Sequence, residues 1–215
     1  MREQYTLAVN TTSPILYVVI SGISGGKDEP LVQYLASALQ ESGTTASIQF
    51  ANDPNYNDQT LPAMNELPIK GYLDCLDHVI KIASAKHSVE HIVLIAHSFS
   101  AVIATYYLAN HLEDQGSRDF TLISIDNDDS DAALKYIDSL DDMARKDPLM
   151  NPFSPSTIQY LRDNPSKEAL DHLPRAFHVE ADEFGADHEF ASDESRRLLL
   201  DSIHAIIADV GIGRS

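Results

Sequence analysis

Ser98 stands in "VLIAHSFSAVIA", where an apolar, β-rich run gives way to a segment with helical spacing, and small residues, Ala96 and Ser100, lie two places to either side. A tight turn from strand into helix drives its middle residue into a strained conformation. Only small side chains two places away let strand and helix approach closely enough. Such a turn exposes the Ser98 hydroxyl and sets the next N–H, that of Phe99, at a helix N-terminus, where it can face a developing negative charge. The chemistry this suits is nucleophilic attack on an acyl carbon. The pattern is a G-x-S-x-G elbow with Ala and Ser in place of both glycines; the plainer alternative is a serine capping an ordinary βα turn. Ser100 is a rival hydroxyl, but it fills the small-residue place after the elbow, so packing is its expected role.

A second stretch of chemical interest is "SGISGGKDEP", residues 21–30, which follows the apolar run "ILYVVI". A buried strand entering a glycine-rich turn and then a helix aims backbone N–H groups at an anion, as in a phosphate-binding loop. The spacing opposes that reading. A P-loop needs Gly six positions before the Lys and a hydroxyl just after it, and here Ser21 and Asp28 occupy those places. An acid at the second place would repel a phosphate.

These turns need a scaffold, and the periodicities supply one. "YTLAVN" and "ILYVVISG" read as strands, the second apolar enough for burial on both faces. "EPLVQYLASALQESG" has helical spacing and closes at Gly43, and "TASIQFAN" is a further strand. Residues 52–69, rich in Asn, Asp and Pro, predict a surface loop. "GYLDCLDHVIKIASAK" is helical, "HIVLIAHS" a strand, "FSAVIATYYLANHLEDQG" a helix and "DFTLISID" a strand. Residues 131–173 read as two or three short helices broken by Pro148, Pro152, Pro155 and Pro165. "RAFHVEAD" is the last strand, and the last helix runs from an N-cap at Ser192 to a stop at Gly211. Alternating strands and helices imply right-handed crossovers and a mostly parallel sheet covered on both faces, with the site at the C-terminal strand ends.

With strand, "SGISGG" turn, helix, strand, helix, "AHSFS" elbow and helix in this order, the chain resembles the α/β-hydrolase family over most of its length. The resemblance implies a three-layer α/β sandwich and a serine hydrolase of carboxylic esters, thioesters or amides, with a Ser-His-Asp triad and no metal or organic cofactor. It implies that the second oxyanion N–H comes from the turn after an earlier strand. There Ser21-Gly22 takes the place of His-Gly, and Ile23 would supply the donor beside that of Phe99.

A serine hydroxyl needs a base, normally a His oriented by a carboxylate. Among the nine histidines, His188 in "EFGADHEF" follows a strand, precedes a helix and resembles the family's C-terminal histidine loop. His97 lies inside the elbow, where its side chain should point away. His178 is mid-strand, and His204 sits within the last helix. The family's chain order puts the acid between Ser and His, on the turn after a strand. Asp128 is the first choice, then Asp126, both after "FTLISI"; Asp182, after "FHVEA", would have to fold back across six residues. Only two strands follow Ser98, where the full fold usually has three. Either one strand is missing or part of 131–175 is not helical; if that segment is an inserted helical cap, it would lie over the mouth of the site with Met150, Phe153, Tyr160 and Leu161 as apolar lining, and burial of these four in a core is the alternative. A non-catalytic binding or interaction protein on the same fold is the alternative function.

At 215 residues and 43% hydrophobic, the chain is long enough for one sizeable core, and residues 1–215 are expected to form a single domain. The formal charge of -18, from 33 acidic against 15 basic side chains, surrounds it with negative potential. Nucleic acid is therefore a poor partner, phosphorylated substrates are mildly disfavoured, and a neutral small-molecule acyl substrate is expected. No apolar run can span a bilayer and "MREQYTLAVN" lacks the apolar stretch of a signal peptide, so a cytoplasmic location is expected. The lone Cys75 has no disulfide or zinc partner and should pack on a helix as a small apolar residue. Lys27 is expected at the surface, near the start of a helix.

Overall fold

The computed structural model describes residues 5–22, 25–50, 66–86, 88–111, 118–126, 130–146, 151, 153–171 and 173–212. The expectations on Ile23, Asp128, Pro148, Met150, Pro152 and most of the 52–69 loop therefore lie outside the described residues.

Apolar side chains on both faces of a strand require cover on both sides, and the strands here have it. Six strands form one sheet in the order β1-β3-β2-β4-β5-β6. They are β1 (Tyr5–Ala8), β2 (Ile15–Ile20), β3 (Thr44–Ile48), β4 (His91–His97), β5 (Asp119–Ile125) and β6 (Ala176–Val179). β1 pairs antiparallel with β3 at the edge, and every other pairing is parallel. All six residues of β2 are buried, as are all of β4 after His91.

Because side chains alternate across a strand, the two faces feed two separate cores. Leu16, Val18 and Ile20 of β2 join Ile92 and Leu94 of β4 on one face; Ile15, Tyr17 and Val19 join Val93 and Ile95 on the other. Each such side chain contributes roughly 1.5–3 kcal/mol on burial. The first core is closed by α2 (Ile69–Ser84) and α3 (Phe99–His111), the second by α1 (Pro30–Leu39) and α7 (Asp193–Asp209). This is a three-layer sandwich. Cys75 packs at the margin of the first core, and burial pushes its thiol up to about 11.

The segment after β5 forms α4 (Ser130–Ser139), a single 3₁₀ turn at Ala144–Lys146, α5 (Pro155–Asp163) and α6 (Ser166–Leu170). The prolines start these helices as much as they separate them. Pro155 opens α5, where its missing N–H costs nothing, and Ser154 caps it by accepting from the Thr157 N–H. α4 and α6 pack on α3, and α5 packs on α2 and α4. Leu161 and Phe153 are buried in the first core, and the Tyr160 ring meets that of Tyr106 edge-on at 5.2 Å. Of the side chains expected as a lining, Phe153, Tyr160 and Leu161 thus bind this segment to the first core.

Ser192 caps α7 by accepting from the Ser195 N–H, and Gly211 at φ 74° ends it, as the sequence indicates. Lys27 departs from expectation. It is only 8% exposed, its ammonium pairs with Asp28 at 3.1 Å, and its carbonyl accepts from the Gln33 side chain. The polar groups of its own turn hold it down.

No helix among the described residues is long and apolar enough to cross a membrane.

Candidate active site

Three residues other than glycine have positive φ among the described residues: Ser98 at 56°, Asp126 at 46° and Phe190 at 47°. Each costs backbone strain that surrounding contacts must hold, and such strain gathers at functional sites. All three lie at the C-terminal end of the sheet. Ser98 follows β4 directly, Asp126 follows β5, and Phe190 lies in the loop after β6.

The sheet itself brings the first two together. β4 and β5 pair in register through His97 and Ile125, so the next residues, Ser98 and Asp126, leave adjacent strands side by side. The Ser98 N–H donates to the Ile125 carbonyl at 2.9 Å, and the Asp126 N–H to the Val179 carbonyl at 2.8 Å, which carries the ladder up to both turns. Ser98 then turns at once into α3. Phe99 is the first residue of that helix, so its N–H has no partner within the helix and faces the strand end. Ala96 and Ser100, the small flanking residues, are both buried.

His188 comes from the loop after β6. A 3₁₀ turn at Ala181–Phe184 ends at Gly185 in the left-handed conformation, which redirects the chain toward Asp187 and His188. The His188 Nδ1 hydrogen-bonds the Asp126 carboxylate, an interaction that spans 62 residues of sequence. Asp126 also accepts from the Ala181 N–H at 3.4 Å. Burial raises the Asp126 carboxyl, but hydrogen bonds from His188 and the Ala181 N–H and the charge of His188 outweigh it and hold the group below the usual carboxylate range. The carboxylate against His188 is therefore Asp126, second of the candidates. Asp182 is exposed in the 3₁₀ turn, where its carbonyl accepts from Gly185.

His97 does not point away. Its ring is 4% exposed, lies 4.7 Å from that of His188 and uses Nε2 to hydrogen-bond the His188 carbonyl at 2.8 Å. Since a carbonyl can only accept, neutral His97 carries its proton on Nε2. The other nitrogen, Nδ1, is buried without a partner among the described residues. Burial, then the nearby His188, pushes His97 down to about 4, against opposing contributions from its own hydrogen bond and from Asp126. Reading the sequence for side chains that touch substrate leaves such a support unseen; a His directly before Ser98 was the available signal.

The turn after β2 closes the site. A side chain at Gly22 would begin 3.2 Å from His97 Nδ1 and 3.4 Å from Ser98 Cβ, so glycine lets the backbone pass against Ser98. Ser100 does more than fill space, because its hydroxyl donates to the Ser21 carbonyl. On the far side of the elbow, the Phe99 ring meets Phe153 at 4.5 Å and Tyr72 at 6.4 Å, and Tyr72 meets Phe50 at 5.2 Å. These four rings are buried together in the first core.

His178 hydrogen-bonds Ser124 at 2.9 Å through Nδ1 and Glu180 through Nε2, within the sheet edge, and His204 is exposed on α7. One group among the described residues has donor atoms close enough for a metal ion, His97, Asp126 and His188, within 4.8 Å of one another. Two of its members are already bonded to each other, and the third to the His188 backbone.

No family model and no curated protein matches the sequence. Solved structures do match its shape. Est1E from Butyrivibrio proteoclasticus with ferulic acid bound superposes with a TM-score of 0.67 at 12% identity, over 95% of this chain and 94% of that one. The alpha/beta hydrolase domain-containing protein 10 from mouse gives 0.63 at 10% identity, over 96% and 94%. A lidless a/b serine hydrolase from Xanthomonas campestris gives 0.54 at 17% identity, over 95% and 88%. With its parallel sheet, its strained serine turn and these likenesses, the chain has the α/β-hydrolase fold.

Proposed function

We propose that the protein is a serine hydrolase of small, neutral carboxylic esters, with Ser98, His188 and Asp126 as its triad. One observation carries the reading: the His188–Asp126 hydrogen bond lies at the same sheet end as a serine in a strained strand-to-helix turn. Asp126 takes the role expected first of Asp128. It keeps the His188 proton on Nδ1, so that Nε2 is the free base, and it stabilises the imidazolium that forms.

Ser98 Oγ attacks the acyl carbon as His188 Nε2 takes its proton. The carbonyl oxygen becomes an oxyanion, held by the Phe99 N–H and by that of Ile23 in the turn after β2. Collapse of this intermediate expels the alkoxide, which leaves as an alcohol with the proton from His188. A water then attacks the acyl-enzyme, gives its proton to His188, and the acid departs as Ser98 is restored. These steps call for no metal and no organic cofactor. The acidic surface favours an uncharged substrate over a phosphorylated one. Est1E, which shares the fold, has ferulic acid, a carboxylic acid, bound, and an acyl substrate for this chain accords with that.

The test is labelling with a fluorophosphonate probe alongside p-nitrophenyl acetate hydrolysis. The native protein should be labelled at Ser98 and turn over the ester, and Ser98→Ala should lose both. A native protein that is folded yet neither labelled nor active overturns the reading and leaves a binding role on the same fold.

A further inference from the structure

The second small place of the elbow holds a serine, and that serine is used. Ser100 is 2% exposed, in the first turn of α3, two residues beyond Ser98. Its hydroxyl donates to the carbonyl of Ser21, itself 3% exposed and 79 residues earlier. A glycine or alanine at position 100 would leave that buried carbonyl without this donor.

The bond joins two particular pieces of backbone. One is the N-terminus of α3, which presents the Phe99 N–H. The other is the turn after β2, which continues through Gly22. A peptide unit is planar, so fixing the Ser21 carbonyl also fixes the direction of the Gly22 N–H and the start of the turn. The next residue packs against the elbow as well, since a Cβ on Gly22 would lie 3.2 Å from His97 Nδ1 and 3.4 Å from Ser98 Cβ. Ser21 and Gly22 are thus held to the elbow by one hydrogen bond and by close packing.

We infer that Ser100 is a positioning residue for the oxyanion hole: through the Ser21 carbonyl, its hydroxyl holds Ser21 and Gly22, the start of the turn after β2, against the N-terminus of α3 that carries the Phe99 N–H. The inference rests on the proposed function, with Ser98 as the nucleophile and the turn after β2 as the source of the second donor. Ser100 touches no reacting atom. Its effect should appear where charge develops on the oxygen and hardly at all in ground-state binding. Loss of one oxyanion donor typically costs about 100-fold or more in kcat, so its displacement should cost about 10-fold or more.

The experiment compares wild type, Ser100→Ala and Ser100→Gly on p-nitrophenyl acetate, with phenylboronic acid as a tetrahedral anionic analogue and thermal unfolding as a check on folding. Both variants should lower kcat by about 10-fold or more, weaken phenylboronic acid by a similar factor and leave KM within about twofold. The inference is overturned if both keep kcat and boronate affinity within twofold of wild type, or if KM rises while kcat holds. Ser100→Gly restores the residue the elbow normally carries, so it keeps the test decisive should the alanine variant fold poorly. Failure of the hydrolase reading itself would show differently, as turnover that survives Ser98→Ala.

Discussion

His97 ties the protein's stability to pH, and the size of the effect follows from its burial. Its ring is 4% exposed, packed on His188 and Phe190, with Asp126 nearby, and its pKa falls from the ordinary value near 6.5 to about 4. The unfolded chain takes up this proton near pH 6.5 and the folded protein only near pH 4. Between those values the unfolded state holds the extra proton, so the stability contribution is complete above pH 6.5 and is lost as pH falls toward 4. At about 1.4 kcal/mol per pH unit, the loss between pH 7.5 and pH 4 comes to about 3 kcal/mol. That is a large share of the 5–15 kcal/mol typical of a folded domain. His97→Gln keeps an N–H for the His188 carbonyl but cannot titrate. Urea unfolding of both proteins across this range should show wild type losing about 3 kcal/mol more than the variant, whatever the variant's stability at pH 7.5. Asp126, whose lowered pKa also withdraws stability in acid, is present in both and cancels in the difference. Parallel losses, within about 1 kcal/mol, would refute the assignment of a buried, neutral His97.

Two further outcomes are expected. Asp126→Asn should lower ester turnover by about 10⁴-fold, because the amide no longer holds His188 in the productive tautomer, whereas Asp128→Asn should change it by less than about 10-fold; the reverse order in a p-nitrophenyl acetate assay would return the acid role to Asp128. Cys75, whose thiol burial pushes up to about 11, should react with a disulfide reagent at pH 8 about 100-fold more slowly in the native protein than in urea, and equal rates would show that it is not buried as described.

Much of the fold was legible because its signals are local. The continuous apolar run of β2, the helical spacing of α1, α2 and α7, the serine cap at Ser192 and the glycine stop at Gly211 each depend on neighbours a few residues away. Prolines likewise marked the short helices between β5 and β6, although not that Phe153 and Leu161 anchor them in the core behind α3. The elbow at Ser98 and the loop at His188 were found in the same way, from small residues around a serine and a histidine between strand and helix. Lys27 was misjudged because a charged residue beside glycines gives no sign that Asp28 and the α1 side chain Gln33 will fold over it.

The residues alone determined the sheet, the order of its elements and the placing of a serine, a histidine and several aspartates at its C-terminal end. Which aspartate meets His188 was decided by tertiary structure, through the β4–β5 register and the positive φ that turns Asp126 toward the loop after β6. The partners of His97 and Ser100 were decided there too. Their bonds, to the His188 carbonyl and the Ser21 carbonyl, join backbone groups 91 and 79 residues away in the chain. A backbone carbonyl looks the same in every residue, so no pattern of side chains can say which one a buried hydroxyl or imidazole will reach until the strands are laid side by side.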